Sequence, residues 1–290
     1  RFTIDRFIAA QERHLRDATQ GLERRSAEVR AAVEDFADMV TGARLAFTPL
    51  RVTDAALDGL RSHYARHLYR AILGCTKASL RALQERVKPR ATGGVLAAAA
   101  ARAHEPLFDL SVEQVAHSVA LAPSLEEVQM ALNRCCRALI AASRAIPDWA
   151  PDSLPGPEGA APTIFRRLAA DKELSVMVFR LAGSLEASSR SVHRLLAAFD
   201  EFAWLTAENR EARFAAFLAA RPSLDAHEAE LRRYADLDAE IARVAPSHVV
   251  GAVRLDTAPV KQALRAEVAR WSGQYASHLH AMARAALHPT

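Results

Sequence analysis

The chain has 290 residues, 50% of them hydrophobic and 25% charged, an ordinary balance for a soluble globular protein able to bury a sizeable core in one to three domains. Its net charge of +4 comes from 38 basic and 34 acidic residues interspersed without a block of five like charges, which argues against a dedicated nucleic-acid surface. The longest apolar run, Val95 to Ala101, falls far short of the roughly 20 residues that span a bilayer, so no membrane partner is expected.

The first residue is Arg1, with no charged n-region and apolar h-region behind it, which reads as a piece of a longer polypeptide without a secretory signal. Ile8, Leu15, Leu22, Val29 and Phe36 then recur at strict seven-residue intervals, flanked by Ile4, Ala18, Ala32, Val33 and Val40. A helix from Ile4 to Val40 would be about 55 Å long. With one strong position per heptad and Gln11, Glu12, Arg25 and Ser26 beside it, the seam is too polar to bury fully. It packs inside a bundle or receives another subunit, and the heptads do not decide whose helix lies opposite. Gly42 and Pro49 end this element. A second long helix is predicted over Asp54 to Val87, through Leu57, Leu60, Tyr64, Leu68, Ile72, Cys75, Leu80 and Leu83, and is stopped by Pro89, Gly93 and Gly94.

Between Pro106 and Trp149 the apolar period changes. Phe108, Leu110 and Val112 alternate with polar residues, and Val119 and Leu121 repeat the alternation before Pro123, which predicts one small β-hairpin near residues 107–122. Ser124 and Glu127 form a capping box for a helix carrying Leu125, Val128, Leu132, Cys135 or Cys136, Leu139 and Ile146. Pro147, Pro151, Pro155, Pro157 and Pro162, with Gly156 and Gly159, mark an exposed loop and the best internal boundary. Helical periodicity resumes from Ile164 to Leu218, a further helix runs from Ser223 to Val244, and the last follows Pro259 with Val260, Leu264, Val268, Trp271, Tyr275, Leu279 and Met282 at spacings of three and four. The fold class is mainly α, an elongated rod of long-helix bundles with one small β-hairpin. Its parts are the heptad helix at 1–45, a bundle segment with the hairpin at 46–148, the Pro/Gly-rich loop at 149–163 and a second bundle at 164–290.

No chemistry stands out. There is no G-x-x-x-x-G-K-[ST] loop to cradle phosphates, and Gly74 to Ser79, which holds some of those letters, lies mid-helix with the glycine spacing wrong. Glu34 and Asp38 share one helical face as a Mg²⁺ cluster requires, but no second acidic cluster is found to oppose them. His63 and His67 stand one turn apart without a third ligand, and His278 and His280 point to different sides of their helix. Three cysteines, two of them adjacent at Cys135 and Cys136, make neither a disulfide framework nor a metal knuckle and indicate a reducing compartment. Trp271 shares a stripe with Leu264, Val268 and Tyr275, as a core residue does. The expectation is therefore no catalytic, cofactor-binding or metal residue in this chain.

Leu107-Phe108 through Pro123-Ser124-Leu125-Glu126-Glu127-Val128-Gln129, then Ile146 and Trp149, resembles part of the tail of axonemal dynein heavy chains. Asp171 to Leu174, Leu181 to Ser184, Phe199, Phe202, Trp204-Leu205, Phe217-Leu218, Pro222 to Leu224 and Glu230 to Tyr234 continue the likeness. Gly251 to Thr257, Val260-Lys261, Leu264, Glu267, Trp271, Tyr275 and Leu279 complete it, so that it covers roughly residues 50 to 285. Trp204-Leu205 reverses the family's expected order, and residues 1 to 45 match only as a heptad helix. The resemblance implies the N-terminal tail, or stem, that precedes the linker and motor ring of a minus-end-directed microtubule motor in the axoneme of a cilium or flagellum. It implies a structural role in anchoring and force transmission. ATP and Mg²⁺ belong to the family's motor ring. The partners implied are other heavy chains, intermediate or light chains, or docking proteins, with microtubules reached through the motor or through docking. The alternative is an unrelated cytosolic helical tether or cytoskeletal scaffold of the same architecture.

Overall fold

The computed structural model of the chain describes residues 3–46, 52–87, 106–150 and 161–287. The described residues fall into two compact units, each drawn from separate stretches of sequence. The first holds helices α1 (Ile4–Ala46) and α2 (Asp54–Val87), nearly all of α3 (Leu125–Ala141), a 3-10 turn (Ala142–Ala145), α4 (Ile164–Ala169) and the first half of α5 (Lys172–Ala197). The second holds strands β1 (Phe108–Val115) and β2 (Ser118–Ala122), the rest of α5, short helices α6 (Trp204–Ala207) and α7 (Arg210–Ala219), α8 (Leu224–Arg243), strands β3 (Ser247–Val250) and β4 (Val253–Asp256), and α9 (Ala258–Leu287). The protein is mainly α. Among the described residues, no helix is long and apolar enough to cross a membrane.

Local chemistry starts these helices. Thr3, Thr53, Asp171, Asn209 and Ser223 each accept a hydrogen bond from the backbone N–H three residues on, satisfying an otherwise orphaned donor in the first turn. Thr53 explains why α2 begins at Asp54, where the periodicity also starts. Asp171 and Asn209 likewise cap α5 and α7, so the apolar pattern from Ile164 to Leu218, continuous in sequence, is broken in space into the four helices α4 to α7. Ala170 and Asp171 separate α4 from α5, and a 3-10 turn at Asp200–Phe202 precedes α6. Pro259 sits in the first turn of α9, where its missing N–H has no helical acceptor to lose.

In the second unit the expected hairpin forms, with Val115 opposite Ser118 and a two-residue loop between them. Ala116 in that loop has φ of 52°, the left-handed region that such loops usually give to glycine. The hairpin is half of a four-stranded sheet ordered β2-β1-β4-β3, in which β1 runs parallel to β4. Phe108, Leu110 and Val112 on β1 and Val253 and Leu255 on β4 are buried, and α9 packs across β1. Asp109 and Arg254 stand in register on the neighbouring strands, 3.5 Å apart. The core continues along α9 through Val260, Leu264, Val268, Trp271 and Tyr275, all buried.

In the first unit α1 packs on α2 and on the 3-10 turn, and α4 packs on the same turn. Residues 151–160 of the proline-rich loop lie outside the described residues, as do Pro49, Pro89, Gly93, Gly94 and the run from Val95 to Ala101. The two flanks of the loop are joined: Asp148 N–H donates to Pro162 C=O at 2.9 Å, and Ile164 N–H to Ile146 C=O at 3.1 Å.

Candidate interaction surface

The heptad residues of α1 do not share one environment. Ile8, Leu15 and Leu22 are half-buried, whereas Val29 is 38% and Phe36 47% exposed. The buried positions of α1 are Phe7, Ser26, Val33 and Ala37. Geometry accounts for the difference. A straight helix drifts about 20° per heptad, so four heptads carry the stripe roughly 80° around the axis between Ile8 and Phe36. The line that stays on the neighbours repeats every eleven residues instead: Leu15, Ser26 and Ala37 follow it, as do Gln11, Leu22 and Val33. Eleven residues overrun three turns by about 20°, in the opposite sense to the heptad, so each line moves only about 40° over its 22 residues.

The N-terminal part of α1 borders two clefts. Phe7, Ile8, Gln11 and Leu15 face Ala131, Cys135 and Leu139 of α3 across a small apolar cleft of about 50 Å³. Leu15, Ala18, Leu22 and Arg25 line a wider groove of about 390 Å³ with Ile72, Cys75 and Thr76 of α2 and Ser143 and Ile146. Glu34 and Arg61 clamp α1 to α2 at the other end, the guanidinium donating to both carboxylate oxygens at 2.7 to 3.2 Å. Those hydrogen bonds hold the Glu34 carboxyl below its ordinary value and raise Arg61. Glu34 is therefore spoken for by an arginine.

The other residues singled out in sequence have similarly plain surroundings. Thr76 is buried mid-helix and donates to Ile72 C=O at 3.0 Å, and Lys77 pairs with Glu173 and stands 3.9 Å from Asp171, so the letters resembling a phosphate loop are part of α2. His63 and His67 have ring centroids 4.4 Å apart on the exposed side of α2. Among the described residues, no three His, Cys, Asp or Glu side chains gather as a metal site would need. Both thiols are buried in the inner side of α3, and that burial raises Cys135 and pushes Cys136 up to about 12. Trp271 donates from Nε1 to Leu205 C=O at 2.9 Å and meets Trp204 edge-on at 5.4 Å. His278 stacks on buried His227 at 5.5 Å, while His280 is exposed on another side of α9.

One feature of α3 escapes a reading based on apolar faces. Its inner side carries Val128, Ala131, Leu132, Cys135 and Cys136, and its outer side carries Met130, Arg134, Arg137 and Ala141 in one stripe continued by Arg144. With Phe165 and Ala169 of α4 this stripe lines an open groove of about 790 Å³. A search for basic residues at helical spacing around an exposed methionine would have found it.

No family model matches the chain. Over 279 residues, 96% of its length, the chain is 31% identical to the dynein gamma chain of the flagellar outer arm of Chlamydomonas reinhardtii. Its homologues are axonemal dynein heavy chains. The human dynein axonemal heavy chain 8 is 28% identical over 53% of the chain, and mouse dynein axonemal heavy chain 5 is 21% identical over 78%. The chain spans 6% of the length of the Chlamydomonas protein and 4% of that of the human one. Homology to dynein heavy chains removes the alternative of an unrelated tether. Among the residues that carried the resemblance, Phe108, Val253, Leu255, Leu264 and Trp271 are buried in the core.

Proposed function

We propose that this chain is a structural and assembly segment of an axonemal dynein heavy-chain tail, with anchoring and force transmission as its work and no catalysis of its own. The observation that carries the reading is the alignment along 96% of the chain to 6% of a flagellar outer-arm heavy chain, a short stretch of a very long motor polypeptide. The surroundings of Thr76 and Lys77 support the second half of it, because helix geometry there offers no amide cradle for phosphates. ATP and Mg²⁺ act in the motor ring, outside this segment. The axonemal names of the relatives support a location in the cytoskeleton of a cilium or flagellum. Partners are other heavy chains, intermediate or light chains and docking proteins of the axoneme.

Competition tests the reading. The chain, expressed in ciliated cells beside the full-length heavy chain, is expected to reduce the number of assembled arms per axoneme in proportion to its level. Arms that assemble at the normal number, with the chain present in excess in the same compartment, would remove the assembly role. In the same preparation the purified chain is expected to release no phosphate from Mg-ATP.

A further inference from the structure

We propose that the groove along the outer side of α3 is a docking site for an acidic amphipathic helix of a partner protein. Met130, Arg134, Arg137, Ala141 and Arg144 fall on one line because their spacings of four, three, four and three follow the helical turn. Met130 is 56% exposed on an otherwise well-packed helix, and Phe165 and Ala169 extend the apolar floor beneath the line. The charged residues bordering this floor are all arginines. Arg134 already pairs with Glu12. The Arg144 guanidinium carbon sits over the Phe165 ring, 4.2 Å from its centroid, and among the described residues Arg137 has no carboxylate partner.

An apolar floor with an arginine rim selects the complementary pattern: apolar side chains at helical spacing flanked by carboxylates. Length agrees, since Met130 to Arg144 extends about 21 Å, roughly four turns of a helix laid alongside. Arginine suits the rim because its planar fork takes carboxylates two oxygens at a time. The proposal rests on the assembly reading for why such a partner is at hand, but its test needs no axoneme, so the two can fail separately.

The test uses the whole chain and a fluorescent synthetic peptide of about 18 residues, with leucines on an i, i+3, i+4, i+7 stripe and glutamates on either side. A second peptide carries lysines in place of the glutamates, and vesicles of phosphatidylcholine with phosphatidylserine serve as a third probe. Saturable binding of the glutamate peptide is expected, weakened about tenfold or more by Arg137→Glu with Arg144→Glu, together with a gain of binding to the lysine peptide by that double variant. The swapped preference cannot come from unfolding. If the double variant loses its thermal transition, Arg137→Gln is read in its place and is expected to weaken the glutamate peptide severalfold. Equal binding of both peptides by the parent chain, indifference to the substitutions, or binding to the vesicles alone would overturn the proposal.

Discussion

Helices α9 and α1 both announce themselves by apolar stripes, but α9 buries Val260, Leu264, Val268, Trp271 and Tyr275, while α1 leaves Val29 and Phe36 substantially exposed. The spacings differ. Those of α9 are four, four, three and four, which track a turn of 3.6 residues and keep the whole stripe buried, with Trp271 and Tyr275 among Trp204, Phe214, Phe217 and Tyr234. The strict sevens of α1 lag behind the helix and leave the packed side before they end. A regular pattern in sequence is thus not the same as a buried face in space. The departure of the stripe is what leaves apolar side chains on the outside of a long helix in a chain whose homologues are axonemal dynein heavy chains.

The largest test of this contrast is at the centre of the α9 stripe. Trp271→Ala removes a fully buried ring and its hydrogen bond to Leu205, and is expected to destabilise the protein by about 3–5 kcal/mol in denaturant titrations. On α1 the eleven-residue line should matter more than the heptad line. Val33→Ala deletes two buried carbons and should cost about 1.5 kcal/mol, and a loss equal to that of Val29→Ala would blur the distinction.

Smaller effects sharpen the picture. Ala116→Gly relieves the left-handed backbone of the β1–β2 loop and should stabilise its unit by about 1 kcal/mol, read as a raised melting temperature; no gain would mean that the loop holds its shape at no cost. The clamp between α1 and α2 adds a pH dependence. Because the folded-state pKa of Glu34 is lowered by Arg61, its contribution is present above the ordinary carboxylate range and is lost as pH falls through the folded value. Both partners are about a third exposed, so the loss should stay below about 1 kcal/mol, and Glu34→Gln should flatten that part of the acid limb. The smallest effect belongs to Phe36→Ala, within about 0.5 kcal/mol. A value approaching that of Trp271→Ala would break the comparison altogether.

Elements with long, capped periodic patterns were readable from residues alone. α2 runs from Asp54 to Val87 as its pattern and Thr53 dictate, and the β1–β2 hairpin follows the alternation from Phe108 to Leu121. Strands β3 and β4 were not readable as strands. Each has four residues, too few for a period of two to declare itself, and β4 is held by β1 from a point far away in the chain. The breaks at Ala170-Asp171 and Asn209 were hidden because a cap of one polar residue does not interrupt an apolar count. The α3 groove was missed for a different reason. Apolar periodicity finds the face that packs inward, and the arginines at 134, 137 and 144 belong to the other face.

The most direct measurement of the proposed role is made on a full-length axonemal dynein heavy chain lacking the stretch that this chain matches, comparing ATP hydrolysis by the purified motor with the number of arms on the axoneme. The expected result is hydrolysis unchanged within about twofold and arms largely lost, as follows when assembly and chemistry reside in different parts of one polypeptide. Hydrolysis lost with arms still in place would contradict it.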